Sequence, residues 1–268
     1  MPNPMMMSLS ALAALVPISV WSLRSAQARR DLLFWSLLGA ALAGPLAVSI
    51  VQVFRPWQTG LSLALWMSIS ASILALIAAS LVMREAWRLT PLLAPYLLLM
   101  GLAATLWSGA EPGGTGLLHH DIWVKLHIVV SVATYGLCTL AAVAGAAVLL
   151  QERAIKRKRP SALTHKLPSV ADALRLQTGL LKASAAVLAI GIATGMSGQY
   201  LTSGAVLEFD HKTLLSILAF ATILFLLALH GRYGLRGQQL ARFILVAYLL
   251  LTLAYPGVKF VTEVLLAA

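Results

Sequence analysis

The sequence predicts an all-α membrane protein, a polytopic bundle of about eight transmembrane helices with both termini on the outer face. Three observations carry this expectation. Hydrophobic residues make up 60% of the 268 positions and charged residues 11%, and the mean hydropathy is +0.87. Eight stretches reach the roughly 20 mostly apolar residues that a transmembrane helix needs. Basic residues collect in every second connection, as the positive-inside rule requires of cytoplasmic loops.

The apolar stretches run near 5–23, 32–54, 61–83, 91–108, 122–150, 177–196, 211–230 and 240–264. The first is followed by Ala26-Gln27-Ala28, which resembles a signal-peptide cleavage site. No positive charge precedes it, however, and Arg24, Arg29 and Arg30 surround that site, so a retained helix is expected. Small residues mark close helix contacts: Gly39, Ala43 and Gly44 in the second stretch, Ala144 and Gly145 in the fifth, Gly191 and Gly195 in the sixth. Pro45, Pro95 and Pro256 are expected to kink or locally open their helices. Arg84 and Arg88 follow the third stretch, Arg153, Lys156–Arg159 and Lys166 the fifth, and Arg232, Arg236 and Arg242 the seventh. The intervening connections carry Arg55, Lys125 and Lys212. That alternation gives an N-out, C-out orientation, so the net charge of +11 reports topology and not nucleic-acid binding. Cys138 has no second cysteine to pair with and is expected to pack as a small apolar residue. The longest polar stretch, near 151–176, is too short to fold alone, so the chain forms a single transmembrane domain.

Chemistry is expected where histidines enter apolar segments, because an imidazole in hydrocarbon is costly unless something binds it. His127 lies in Trp-Val-Lys-Leu-His-Ile-Val-Val-Ser, about 9 Å inside the fifth stretch at 1.5 Å per residue. His211 opens the seventh stretch in Phe-Asp-His-Lys-Thr, and His230 closes it. These two are roughly 28 Å apart along one helix and cannot share an iron. His127 and His211 belong to the outer half of the membrane, with His119, His120 and Tyr200 as alternative ligands there. The bland reading of His127 is a hydrogen bond to a neighbouring helix. His230 also reads as an interfacial residue and His165 as a solvated one. Trp107 and Trp123 read as interface anchors. A metal-only site is weak, since no helix carries a His-x-x-x-His or Glu-x-x-His pair.

Three stretches resemble the cytochrome c assembly (CcsA/CcmC-like) family, most closely its short eight-helix YpjD/HemX-like branch. Leu126-His127-Ile-Val-Val-Ser131-Val-Ala-Thr-Tyr135 is similar to the family's histidine–serine–tyrosine helix. Phe209-Asp210-His211-Lys212-Thr213-Leu-Leu-Ser216 is similar to the region of its tryptophan-rich motif. Leu229-His230-Gly-Arg232 and Tyr255-Pro-Gly257-Val-Lys259 are similar to the next histidine and the closing helix. The resemblance covers 122–264; the first four stretches share only hydropathy with the family. It implies haem handling in the cytoplasmic membrane, with His127 at the position of an outer haem ligand, His230 at that of a histidine within the membrane, and Asp210 at that of the motif's aspartate. Val206, Leu207, Glu208 and Phe209 stand where larger members carry tryptophans, and His211 stands at the motif's proline.

The expectation is therefore a multi-pass protein of a bacterial inner membrane that holds or passes non-covalent haem b in support of haemoprotein assembly. Residues 1–108 form a scaffold and 109–268 the assembly core. His127 and His211 are the axial ligands, Asp210 orients an imidazole, Lys212 and Lys125 meet the propionates, and His230 is an inner way-station. Its partners are haem, the lipid bilayer and an apocytochrome or another membrane assembly factor. It is expected to make and break no bonds, so it is not an enzyme. Two rival readings are a proton-coupled transporter with a histidine relay, and a structural subunit or chaperone of a membrane complex.

Overall fold

The computed structural model describes residues 3–25, 30–54, 60–108, 122–203, 211–233 and 238–252. Among them every regular element is helical: α1 (Pro4–Arg24), α2 (Leu32–Phe54), α3 (Leu61–Val82), α4 (Thr90–Leu106), α5 (Ile122–Lys156), α6 (Ala162–Lys166), α7 (Val170–Ser203), α8 (His211–Tyr233) and α9 (Gln238–Thr252), with a single 3-10 turn at Ala86–Leu89 leading into α4. Six of the described helical stretches are long and apolar enough to cross a membrane: α1, α2, α3, the 3-10 turn with α4, α5 and α7. The described part of α8 carries a shorter apolar run, Ile217–Arg232. The fold is a polytopic helical bundle.

Burial of apolar surface does not hold such helices together, because lipid is as apolar as leucine; close packing does. Two contacts show how close. A Cβ on Gly136 of α5 would sit 2.7 Å from the carbonyl carbon and oxygen of Ala71 in α3, and one on Gly44 of α2 would sit 2.9 Å from Ala11 Cα in α1. Gly39 differs from expectation: among the described residues it has open space beside it, on an exposed face of α2. A first cluster of buried side chains joins α1–α5 and α7 around Trp66, Leu15 and Leu140, and a second joins α5, α7, α8 and α9 around Cys138, Leu188 and Ile223. Cys138 is buried there. The helices α2 and α4 continue through Pro45 and Pro95, as α1 does through Pro17; Pro256 lies outside the described residues.

The stretch 151–176 is more ordered than its polarity suggests. Helix α5 runs on to Lys156 and ends in a Schellman cap, with Lys158 N–H donating to Ile155 O and Arg159 N–H to Ala154 O. Lys158 takes the left-handed position at φ 51°, where glycine is usual. Ser161 and Thr164 form a capping box on α6. The Gln151 amide donates to the carbonyls of Thr164 (2.9 Å) and Pro168 (3.0 Å), pinning the connection back on α5. Lys166 Nζ reaches the carbonyls of Ser22 and Leu23 that end α1. Ser169 and Asp172 then cap α7. Polar side chains here satisfy helix ends, which hydropathy alone does not register.

Candidate functional site

Helix α5 presents His127, Ser131, Tyr135 and Thr139 at a spacing of four, which places them on one face over about 18 Å. His127 is half-buried against α7. Its Nδ1 lies 2.8 Å from the Gly191 carbonyl oxygen. A carbonyl only accepts, so the neutral imidazole carries its proton on Nδ1 and leaves the Nε2 lone pair unprotonated. Ser131 Oγ stands 3.5 Å from Nε2, too far for a strong hydrogen bond. The Gly191 oxygen also accepts from Thr194 Oγ1 at 3.0 Å. The ring fits because α7 is bare here: a Cβ on Gly195 would come within 3.0 Å of His127 Cε1 and 3.1 Å of Nδ1. Gly191 and Gly195, read from the sequence as helix-contact residues, thus form the seat of the histidine.

The other expected site residues fall as follows. His211 and Lys212 open α8, and Lys125 lies in the first turn of α5. Asp210, His119 and His120 lie outside the described residues. His230 is half-buried near the far end of α8, beside exposed Gly231 and Arg232. One continuous helix joins it to His211, so the two occupy opposite ends, roughly 28 Å apart. Tyr200 is 57% exposed in the last turn of α7, facing away from the bundle. Among the described residues, no group of three or more His, Cys, Asp or Glu is placed to hold a metal ion. His127 Nε2, met only by the long Ser131 contact, is a nitrogen donor of the type that ligates haem iron.

One cluster has no counterpart in the sequence reading. Tyr96 of α4, Tyr135 of α5 and Tyr248 of α9 bring their hydroxyls together, with Tyr248 Oη 2.7 Å from Tyr96 Oη and 3.2 Å from Tyr135 Oη. Thr139 Oγ1 lies 2.9 Å from Tyr248 Oη and donates its own proton to the Tyr135 carbonyl. Tyr248 therefore donates to Tyr135, whose own hydroxyl reaches Thr252 Oγ1 at 3.4 Å, and it accepts from Tyr96. Thr252 Oγ1 donates to the Tyr248 carbonyl. Every hydroxyl proton has an acceptor, and the chain of bonds ends on backbone carbonyls. The network clamps α9 to α4 and α5. Only Tyr135 carried a signal in the sequence, through its place on the histidine–serine–tyrosine helix; nothing in the spacing of residues 96, 135 and 248 pairs them.

The family described as "Cytochrome C assembly protein" matches residues 30–266. The chain belongs to the cytochrome c assembly protein family. The match takes in α2, α3 and α4 as well as the later helices, so the likeness extends well beyond the 122–264 region legible in motifs. A protein of Azospirillum brasilense, described as an uncharacterized 28.8 kDa protein in the nifR3-like 5′ region, is 51% identical over 263 residues, which cover 97% of each chain. No solved structure matches the chain. As a cytochrome c assembly protein with six apolar helices long enough to span a bilayer among its described residues, the chain is a multi-pass membrane protein with a haem-handling role in cytochrome c biogenesis.

Proposed function

We propose that the protein binds haem b non-covalently on the outer side of a bacterial inner membrane and holds it, or passes it on, for haemoprotein assembly. The observation that carries this reading is the hydrogen bond between His127 Nδ1 and the Gly191 carbonyl. The ring's Nδ1–H is committed to that carbonyl and its Nε2 meets only the long Ser131 contact, which is the arrangement of a metal-ligating histidine oriented by its second nitrogen. His211 would supply a second nitrogen ligand, Asp210 would orient an imidazole, and Lys212 and Lys125 would neutralise the propionates. Bis-histidine ligation would keep the bound haem low-spin and closed to oxygen. Family membership supports this reading. The chain's residues bind and orient; they make no covalent bond. An apocytochrome or another membrane assembly factor receives the haem. Alternating basic connections support the N-out, C-out orientation, and a periplasm-only reporter fused after Ala268 is expected to be active.

The test is the Soret spectrum of the purified protein supplied with haem. Wild type is expected to be red and low-spin. His127→Ala and His211→Ala are each expected to lose the bis-histidine spectrum and regain part of it with added imidazole, whereas His119→Ala and His120→Ala retain it. Loss in those two variants with retention in His211→Ala would move the second ligand to the 109–121 connection. Colourless wild-type protein would overturn the proposal.

One observation favours a second reading. The His127–Gly191 bond also joins α5 to α7, as a purely structural histidine would in a subunit or chaperone of a membrane complex. In that case His127→Ala lowers stability and wild-type protein binds no haem.

A further inference from the structure

The end of the bundle where α5 finishes and α7 begins carries a strongly charged surface that the haem reading does not use. Arg153 and the run Lys156–Arg159 are all exposed, and so are Arg175 and Lys182 on α7. Over residues 122–203 the acids are Glu152 and Asp172. Both are half-buried, and Asp172 is engaged with Ser169 in the α7 cap. A topology signal needs only charge, since orientation is decided during insertion. This connection has more than charge. Its cations ride on a Schellman cap, a capping box and the Gln151 clamp. Lys158 takes the left-handed C′ position of the Schellman cap, so the cap fixes where its charge is carried.

Depth decides the kind of partner. Leu126–Leu150 is a 25-residue stretch whose one strongly polar side chain is His127. At about 37 Å it is long enough to cross the hydrocarbon layer, so Arg153–Arg159 stand at headgroup level. Lys182 lies seven residues beyond Arg175, on the same face of α7 and about 10 Å further into the apolar run. It is exposed where lipid is the surroundings, so its ammonium extends back toward the interface. Ile155, 66% exposed among the cations, adds an apolar contact at the same level. A soluble acidic partner reaches the loop but not Lys182; a lipid with an anionic headgroup reaches both.

We propose that this surface is a binding site for anionic phospholipid, with Arg175 and Lys182 beside a headgroup phosphate and Arg153 and Lys156–Arg159 forming the basic shelf around it. The experiment is native mass spectrometry of the purified full-length chain titrated with phosphatidylglycerol or phosphatidylcholine of identical acyl chains. Neutralising the whole run risks inverting the protein, so the variants are Lys182→Gln, inside the apolar run, and Lys158→Gly, which removes one charge while relieving the left-handed backbone. Wild type is expected to retain phosphatidylglycerol over phosphatidylcholine, and each variant to weaken the anionic lipid about fivefold while leaving the zwitterionic one unchanged. Equal retention of both lipids by wild type, or undiminished phosphatidylglycerol binding in both variants, overturns the proposal. Complete displacement of the lipid by millimolar inorganic phosphate reassigns the surface to a free anion. Capture of an acidic polypeptide that survives Lys182→Gln, without lipid preference, reassigns it to a protein. Either of these also overturns it.

Discussion

The hydroxyl of Tyr248 on α9 lies 2.7 Å from that of Tyr96 on α4, and Tyr248 is the hub at which α4, α5 and α9 meet. It donates to Tyr135 and lies within hydrogen-bond distance of Tyr96 and Thr139. Tyr96 lies at the edge of this network, with Tyr248 as its near partner. Interhelical hydrogen bonds in membranes average about 0.6 kcal/mol. Tyr248→Phe is therefore expected to cost about 1–2 kcal/mol in detergent unfolding, and Tyr96→Phe about 0.6 kcal/mol. A larger loss at Tyr96 than at Tyr248 would contradict the hub.

Close packing makes a second contrast measurable. A methyl group at Gly136 would meet the Ala71 backbone at 2.7 Å, and backbone in a packed helix pair cannot yield as a side-chain tip can. Gly136→Ala is expected to destabilise by about 1–3 kcal/mol or more, the range for overpacking. Gly39 has open space, so Gly39→Ala is expected to be neutral or stabilising by up to about 1 kcal/mol, as helix propensity dictates. Equal effects in thermal unfolding would show that α3 and α5 do not meet at Gly136.

The seat of His127 can be probed without haem. Nitrogen-15 NMR of the imidazole in the haem-free protein, at a pH where it is neutral, is expected to show a protonated Nδ1 and a bare Nε2. Gly195→Ala places a methyl where the ring now sits, at 3.0–3.1 Å from two ring atoms. That variant is expected to lose the fixed tautomer and, under the proposed function, to broaden or shift the haem spectrum while the protein stays folded. An unchanged tautomer would place the ring elsewhere.

His230 offers a fourth check. It stands at the opposite end of α8 from His211. His230→Ala is expected to leave the outer haem spectrum unchanged while reducing the amount of haem loaded in cells. Total loss of the spectrum from a folded variant would put the principal site at the Arg232 end of the helix.

Much of this protein is legible along the chain. Uninterrupted apolar runs, broken by cations at alternate connections, determine a helical membrane bundle, because hydrocarbon permits only spans that satisfy their own backbone. His127 stands out for the same reason: imidazole is expensive there, so its presence asks for a partner. The tertiary structure decided which partner. Gly191 lies 64 residues away on another helix, and only the rotation and depth of α7 against α5 bring its carbonyl to Nδ1 and so determine which nitrogen remains free. The tyrosine clamp was hidden likewise, since Tyr96, Tyr135 and Tyr248 each look like ordinary membrane tyrosines until three helices are docked. The order of the 151–176 connection was hidden by its polarity, which reads as solvated loop although Gln151, Ser161 and Lys166 spend their hydrogen bonds on helix ends. Hydropathy is a property of single residues and their order, whereas these contacts depend on how whole helices are turned toward one another.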